Sequence, residues 1–317
     1  MNAEVTVIGA AIIDVLAGPV DERVFEKGSQ PVDATRLAFG GDALNEAVVL
    51  SQLGVKVELI SKVGNDEAGK RVLDFLQEKQ VDVTKVKTEA GLDTGINIVL
   101  VTPEGERMFL TNPNGSLRKL SEADVTEQLD DAADIVCMAS MFVSPLLDVP
   151  AMERIFQRIK SNPGRILVAD MTTAKNGESL ADIACLLKYV DYLIPNEAEA
   201  ARLTGETDAY RNAGSFIEHG ANCVMIKRGK NGCLIRTKDK QMEIPAYAHA
   251  RLVDTTGAGD SFVAGFLYGL KNRMSLEECA RFGCAVASCT VETLGANTAI
   301  DSVELPIERY EMMKCMQ

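Results

Sequence analysis

The sequence predicts an α/β protein built on a doubly wound, mostly parallel sheet flanked by helices, with a small β-strand lid. Three observations carry that reading. Short apolar, β-branched runs alternate with helix-period segments over most of the 317 residues, the pattern of repeated βαβ units. Two strand-like segments interrupt the alternation. Near the C-terminal end a glycine-rich turn, "DTTGAGDSF", runs directly into the apolar stretch "FVAGFLYGL".

In chain order, the first strand is read at "VTVIG" from Val5. Glu4 precedes this apolar run, Asp14 interrupts it and no basic flank leads in, so a buried strand is expected rather than a signal-peptide core. "PVDATRLAFGG" (Pro31–Gly41) reads as a strand, followed by a helix over Ala43–Leu53, the strand "VELIS" from Val57 and a helix over Ala68–Lys79. "TGINIVLVTPEGERMFLTNPNG" (Thr94–Gly115) reads as a hairpin turning at Pro103-Glu104-Gly105. Strands "DIVCMA" from Asp134, "RILVAD" from Arg165, "DYLIP" from Asp191 and "CVMIK" from Cys223 then alternate with helices over Ala151–Lys160, Leu180–Lys188 and Glu197–Thr204. No internal repeat, low-complexity segment or linker divides the chain. The expectation is a single domain over 1–317, with lid strands inserted at about 15–40 and 94–115 over the carboxyl ends of the sheet, where ligands bind.

Composition narrows the partners. The chain is 46% hydrophobic and 25% charged, with a formal net charge of −13, which disfavours nucleic acid and anionic membrane. No apolar run approaches the roughly 20 residues of a bilayer span, so a soluble, cytoplasmic protein is expected. None of the eight cysteines forms a C-x-x-C pair, and His219 and His249 stand alone. Cys279, Cys284 and Cys289 recur every five residues, about 140° apart on a helix. The cysteines are read as small, reduced core residues.

Four clusters could carry chemistry. After "TTGAGD", Phe262, Phe266 and Leu270 fall on one helix face, so Gly257, Ala258 and Gly259 sit at a helix N-terminus whose N–H groups and dipole attract an anion. Asp260 falls in its first turn, where it could take a proton; simple helix capping explains the same residues. In "AFGGDALNEAVVLSQLG", Gly40 and Gly41 permit close backbone approach, and Asn45, off the Leu44/Ala47/Val48 stripe, is either a solvated residue or a ligand for sugar hydroxyls. In "PNEAEA", Asn196 and Glu199 are three apart, which suits either a capping box or water-bound magnesium beside phosphates. In "IKRGKNGC", Gly229 and Gly232 make a turn that could pass adenine or be a plain β-turn. Neither a P-loop nor a G-x-G-x-x-G fingerprint occurs.

Taken in order, these clusters resemble the PfkB carbohydrate-kinase family, with its ribokinase-like fold. "GGDALNEAVVLSQLGVKVELISKVGNDEAG" looks like the family's N-terminal signature and "DTTGAGDSFVAGFLYGL" like its C-terminal one, with Asn196-x-x-Glu199 and the Gly229/Gly232 loop between them. The resemblance implies transfer of the ATP γ-phosphoryl group to a primary alcohol of a monosaccharide. It makes Asp260 the base, the amides of Gly257, Ala258 and Gly259 the anion hole, and Asn196 and Glu199 the organisers of Mg2+ and phosphates. Lys227, Gly229 and Gly232 would lie along the nucleotide, and Asp14, at the end of the first strand, with Gly40, Gly41 and Asn45 along the sugar. Potassium near the anion hole is a further implication, beside Asp254 and the Thr256 carbonyl, with carbonyls of the Thr293–Asn297 loop. Ribokinases usually carry Asn two residues before the position of Asp14; here it is Ile12, which looks more like hexose and keto-sugar kinases. Arg107 on the lid could read a sugar carboxylate or be an exposed arginine without a ligand. The lid strands are also where a homodimer would form. A nucleoside kinase of the same fold and a non-catalytic sugar-sensing protein are the competing readings.

Overall fold

The computed structural model describes residues 2–103 and 106–315. The turn expected at Pro103-Glu104-Gly105 falls on Glu104 and Gly105, which lie outside the described residues. In the first half the elements are β1 (Val5–Ile8), β2 (Ile12–Gly18), α1 (Arg23–Lys27), β3 (Ala34–Gly40), α2 (Asp42–Gln52), β4 (Val57–Gly64), α3 (Glu67–Glu78), β5 (Val86–Glu89), β6 (Ile96–Val101), β7 (Arg107–Thr111) and α4 (Glu122–Thr126). Then follow β8 (Ile135–Met141), α5 (Val149–Lys160), β9 (Ile166–Met171), α6 (Leu180–Leu187), β10 (Tyr192–Leu193), α7 (Glu197–Thr204), α8 (Ala209–Glu218), β11 (Cys223–Lys227), β12 (Cys233–Thr237), β13 (Gln241–Ile244), α9 (Ala258–Lys271), α10 (Leu276–Thr290) and α11 (Glu304–Cys315).

Nine strands form the main sheet in the order β13-β12-β11-β10-β9-β8-β1-β4-β5. All neighbours are parallel except β11 with β12 and β12 with β13. From β1 the chain winds outward to β4 and β5, then returns to β8 on the other flank of β1. Strand order therefore reverses at β1 and β8, and the carboxyl ends there open into the crevice where sheets of this kind bind ligands.

Strand alternation sends side chains into two separate cores. Val5 and Val7 of β1 and Cys137 and Ala139 of β8 face the core built with α2, α9 and α10. Ile8, Val136 and Met138 face the core built with α5, α6 and α8. Phe266 and Phe282 fill the first, Phe156 and Phe216 the second, all fully buried, each stabilising the fold by about 1.5–3 kcal/mol. Cys137, Cys223, Cys233, Cys279, Cys284 and Cys289 are buried core residues, whereas Cys185 is only partly buried and Cys315 is exposed. Those two depart from the core reading because their helices present them towards solvent.

The second sheet, β3-β2-β6-β7, has β2 parallel to β6 and the other pairs antiparallel. The chain leaves β1 at Gly9 and enters this sheet three residues later at β2. Asp14 is thus on β2, not at the end of the first strand, because β2 pairs with β3 and β6 rather than continuing the main sheet.

Helix starts separate structural from open termini. Helices α3 to α8 and α10 are capped by the side chains of Asp66, Ser121, Asp148, Ser179, Asn196, Asp208 and Ser275. By contrast, α2 and α9 start at Gly41 and Gly257 with no side-chain cap. The two starts meet, since Asn45 near the start of α2 donates to Asp260 in the first turn of α9.

Candidate active site

The site is built where these two helix starts meet the second sheet. Gly257 has φ +72, and a Cβ there would lie 2.5 Å from the Cα of Ala296, so only glycine lets the chain turn into α9 against that loop. The turn leaves the first amides of α9 without a side-chain acceptor, a dipole end that favours negative charge. Of the three expected donors, the Ala258 N–H already donates to the Thr255 carbonyl at 3.2 Å. That correction follows from the tightness of the turn, and the open end is centred on Gly259 and Asp260 instead.

Asp260, in the first turn of α9, accepts a hydrogen bond on Oδ2 from Asn45 Nδ2 at 2.7 Å. Asn297 Nδ2 in turn donates to Asn45 Oδ1 at 2.9 Å and to the Phe39 carbonyl at 3.1 Å. Asn45 is buried rather than solvated, because α9 and the loop after α10 close over this face of α2. Burial pushes the Asp260 carboxyl up to about 8; the nearby Asp42 charge adds to the rise, and the Asn45 hydrogen bond opposes it. Asp42 itself accepts a hydrogen bond from Ser140 Oγ at the end of β8.

Beneath Gly259 lies Lys227. Its Nζ would be 3.4 Å from a Cβ at that glycine and is 2.5 Å from Asp170 Oδ2 at the end of β9. Burial disfavours the ammonium, but Asp170 and Glu199 beside it hold its pKa above the usual lysine value. Asn196 and Glu199 form a reciprocal capping box on α7, with Asn196 Oδ1 accepting from the Glu199 N–H at 2.9 Å and Glu199 Oε2 accepting from the Asn196 N–H at 2.8 Å. Capping therefore accounts for the spacing of this pair, and it also places Glu199 beside Lys227. Burial raises the Glu199 carboxyl, with Lys227 opposing. Gly229 and Gly232 flank the short turn between β11 and β12, which begins just after Lys227 at the end of β11. Among the described residues no group of three or more His, Cys, Asp or Glu is arranged to hold a metal.

Opposite Asp260 the second sheet offers a polar row. Asn97 Nδ2 donates to Asp14 Oδ1 at 2.9 Å, and Thr111 Oγ1 donates to Asn97 Oδ1 at 2.9 Å. A Cβ at Gly40 would collide with Asp14 Oδ2, and one at Gly41 would lie 2.5 Å from the Ala10 carbonyl oxygen. These glycines admit the carboxylate and the chain leaving β1. Burial raises the Asp14 carboxyl, the Asn97 hydrogen bond opposing.

Arg107, read from the sequence either as a reader of a sugar carboxylate or as an exposed arginine without a ligand, is engaged with Asp254 and Thr256. Its Nη2 lies 2.8 Å from Asp254 Oδ1, and its Nη1 donates to Thr256 Oγ1. Asp254 Oδ1 also accepts from the Thr256 N–H at 3.0 Å and Thr256 Oγ1 at 2.7 Å, and Oδ2 accepts from the Gly295 N–H at 3.0 Å. Burial alone would raise Asp254, but the Thr256 and Gly295 hydrogen bonds and the Arg107 charge hold it below the usual carboxylate range.

Sequence reasoning missed Asn97, Asp170 and the Asn297 side chain. Asn97 stands out as the polar member of the apolar run "INIVLV", and Asp170 as the acid closing "RILVAD". Asn297 lies in a loop noted only for its carbonyls. Its role depends on packing that no local pattern reveals.

A family model described as pfkB family carbohydrate kinase matches residues 2–303. The chain is 31% identical over 281 residues to a ribokinase of Haemophilus influenzae, covering 87% of this chain and 88% of the relative. In fold it is similar to a ribokinase of Arabidopsis thaliana solved with ribose and ATP, at TM-score 0.82 and 23% identity over 98% of this chain and 99% of that one. It is similar also to a provisionally assigned ribokinase II from E. coli in complex with ATP and Mg2+, at TM-score 0.79 and 22% identity over 99% of this chain and 100% of that one.

Proposed function

The chain belongs to the pfkB family of carbohydrate kinases and is a phosphotransferase acting on a hydroxyl of a small sugar; we propose that Asp260 is the base through which it phosphorylates a primary hydroxyl of a keto sugar, hexose or sugar acid at the expense of ATP. The observation that carries this reading is the Asn45–Asp260 hydrogen bond. It holds one carboxylate oxygen and leaves the other to meet a hydroxyl at the open end of α9, where negative charge is favoured.

The roles divide accordingly. Asp14, Asn97 and Thr111 form a donor and acceptor row suited to sugar hydroxyls. Gly40 and Gly41 keep that wall close to α2. The open amide end of α9 at Gly259 and Asp260, set up by the turn at Gly257 and with the Lys227 ammonium beneath it, stabilises charge on the phosphoryl group in transfer, the main task in such reactions. Asp170 keeps Lys227 charged and in place. Gly229, with open space where a Cβ would stand, gives the nucleotide a side-chain-free surface two residues from Lys227, and Gly232 lets that turn pack against the Ile244–Ala246 backbone. Glu199 fits a magnesium ion held through water, since its carboxyl is raised by burial and a nearby cation would relieve that cost; the ion would neutralise phosphate charge. The fold likeness to a protein in complex with ATP and Mg2+ supports both ligands.

One observation favours a nucleoside as the acceptor. Phe109 is 58% exposed and shares its strand face with Arg107 and Thr111, where an aromatic ring could stack on a base. Release of ADP from a panel of keto sugars, pentoses and sugar acids, with inosine as competitor, separates the two: turnover of a simple sugar undiminished by inosine supports the sugar reading, and turnover of inosine alone sinks it.

A homodimer through the lid strands is supported by the outer face of that sheet. Leu37, Val15, Ile98 and Leu110 form one row across β3, β2, β6 and β7, and Leu37, Ile98 and Leu110 are exposed. Sedimentation of Ile98→Lys beside the parent chain tests it. A parent that sediments as a monomer contradicts it.

A further inference from the structure

A monovalent cation beside Asp254 does not fit the residues present. Asp254 Oδ1 already receives three donors, the Thr256 N–H, the Thr256 hydroxyl and the Arg107 guanidinium, and Oδ2 receives the Gly295 N–H. The single negative charge is neutralised by a guanidinium at 2.8 Å. A second cation on the remaining lone pairs would sit close to Arg107 and be repelled by it.

We infer that the Arg107 guanidinium takes the place of a monovalent cation at this loop, and that the lid strand β7 delivers it. Asp254 is the residue that ties together two loops on which the site depends. One runs from Val253 to Gly257 into α9. The other, after α10, contributes Val291, whose carbonyl accepts from the Val253 and Asp254 N–H groups at 2.7 and 3.2 Å, and Gly295. Ala296 packs against Gly257, and Asn297 holds Asn45, which holds Asp260. A cation on Asp254 therefore braces both the anion-binding turn and the chain of amides that orients Asp260. Arg107 lies on the inner face of β7, in line with Thr111 and Asn97. The strand that supplies the polar wall for the acceptor thus also supplies this charge, so the loop is braced when the lid is seated. Arg107 acts through Asp254 and Thr256 and is a positioning residue.

The inference rests on the kinase reading only for its activity arm. The full chain is assayed in choline chloride, NaCl and KCl at equal ionic strength, for ADP release and separately for its thermal midpoint without substrate. The parent is expected to change less than about twofold in rate, with equal midpoints in the three salts. Arg107→Ala should lose about tenfold or more in choline chloride, show a midpoint that rises selectively in KCl, and recover activity with K+ or ethylguanidinium. Arg107→Lys should stay close to the parent. Potassium activation of the parent, a potassium-selective rise in its midpoint, or an Arg107→Ala variant that is either fully active or beyond rescue would overturn the inference. If no sugar or nucleoside is turned over, the kinase reading fails, and the midpoints still decide the question of the cation.

Discussion

Asn45 on α2 and Asp260 on α9, 215 residues apart in sequence, are joined by a 2.7 Å hydrogen bond, and this bond sets the balance of charge at the site. Asp260 lies up at about 8 because burial and the Asp42 charge outweigh what Asn45 can offset. A base in that range is ionised only on the alkaline side, so kcat/KM should climb with pH towards a plateau above about 8. Asp42→Asn removes a like charge and should move the rising limb to lower pH. Asn45→Ala removes the hydrogen bond that favours the carboxylate and should move it to higher pH. The pH profile of kcat/KM checks both, and shifts of the opposite sign would refute the assignment.

The Lys227–Asp170 pair should be costly to break from one side. Lys227→Met leaves Asp170, which is only 4% exposed, without its cation. Removing one member of a buried pair costs about 3–5 kcal/mol, and the transfer rate should fall by about 10²-fold or more with the loss of the charge near the phosphoryl group. Urea unfolding of Lys227→Met and of the double variant Lys227→Met/Asp170→Asn measures the first effect. The double variant should recover stability but not activity.

Glu46 offers a test that does not involve turnover. It is fully buried on α2, and among the described residues its Oε2 accepts only the Cys137 Sγ–H at 3.2 Å and its Oε1 has no partner. Burial, with the Asp170 and Asp260 charges, raises its carboxyl well above the ordinary value. The folded chain therefore binds a proton that the unfolded chain releases near pH 4.5, and stability falls as pH rises from there towards the folded pKa. Glu46→Gln removes that dependence. Thermal midpoints from pH 5 to 9 should decline less steeply in the variant than in the parent.

The parts of this molecule that local chemistry specifies could be read from the chain. The strand "VTVIG" follows from its short apolar, β-branched run, the helix after "TTGAGD" from side-chain periodicity, and Gly257 from the turn it must make. Arg107 could not be placed that way. Its strand is legible, but its partner Asp254 lies 147 residues on, and only the pairing of β6 with β7 over the site brings them together. The same holds for Asp14, whose position depends on the chain changing sheets after Gly9, and for Asn297, an unremarkable loop residue until α2 packs beside it.

The claim that Asp260 accepts the proton of a sugar hydroxyl is tested most directly by ADP release from the parent chain and Asp260→Asn over the same panel of sugars, with near-ultraviolet circular dichroism to confirm equal folding. The asparagine keeps the shape of the side chain and cannot act as a base. A fall of about 10²–10⁴-fold with little change in KM is the predicted result, and equal turnover by the two proteins would contradict it.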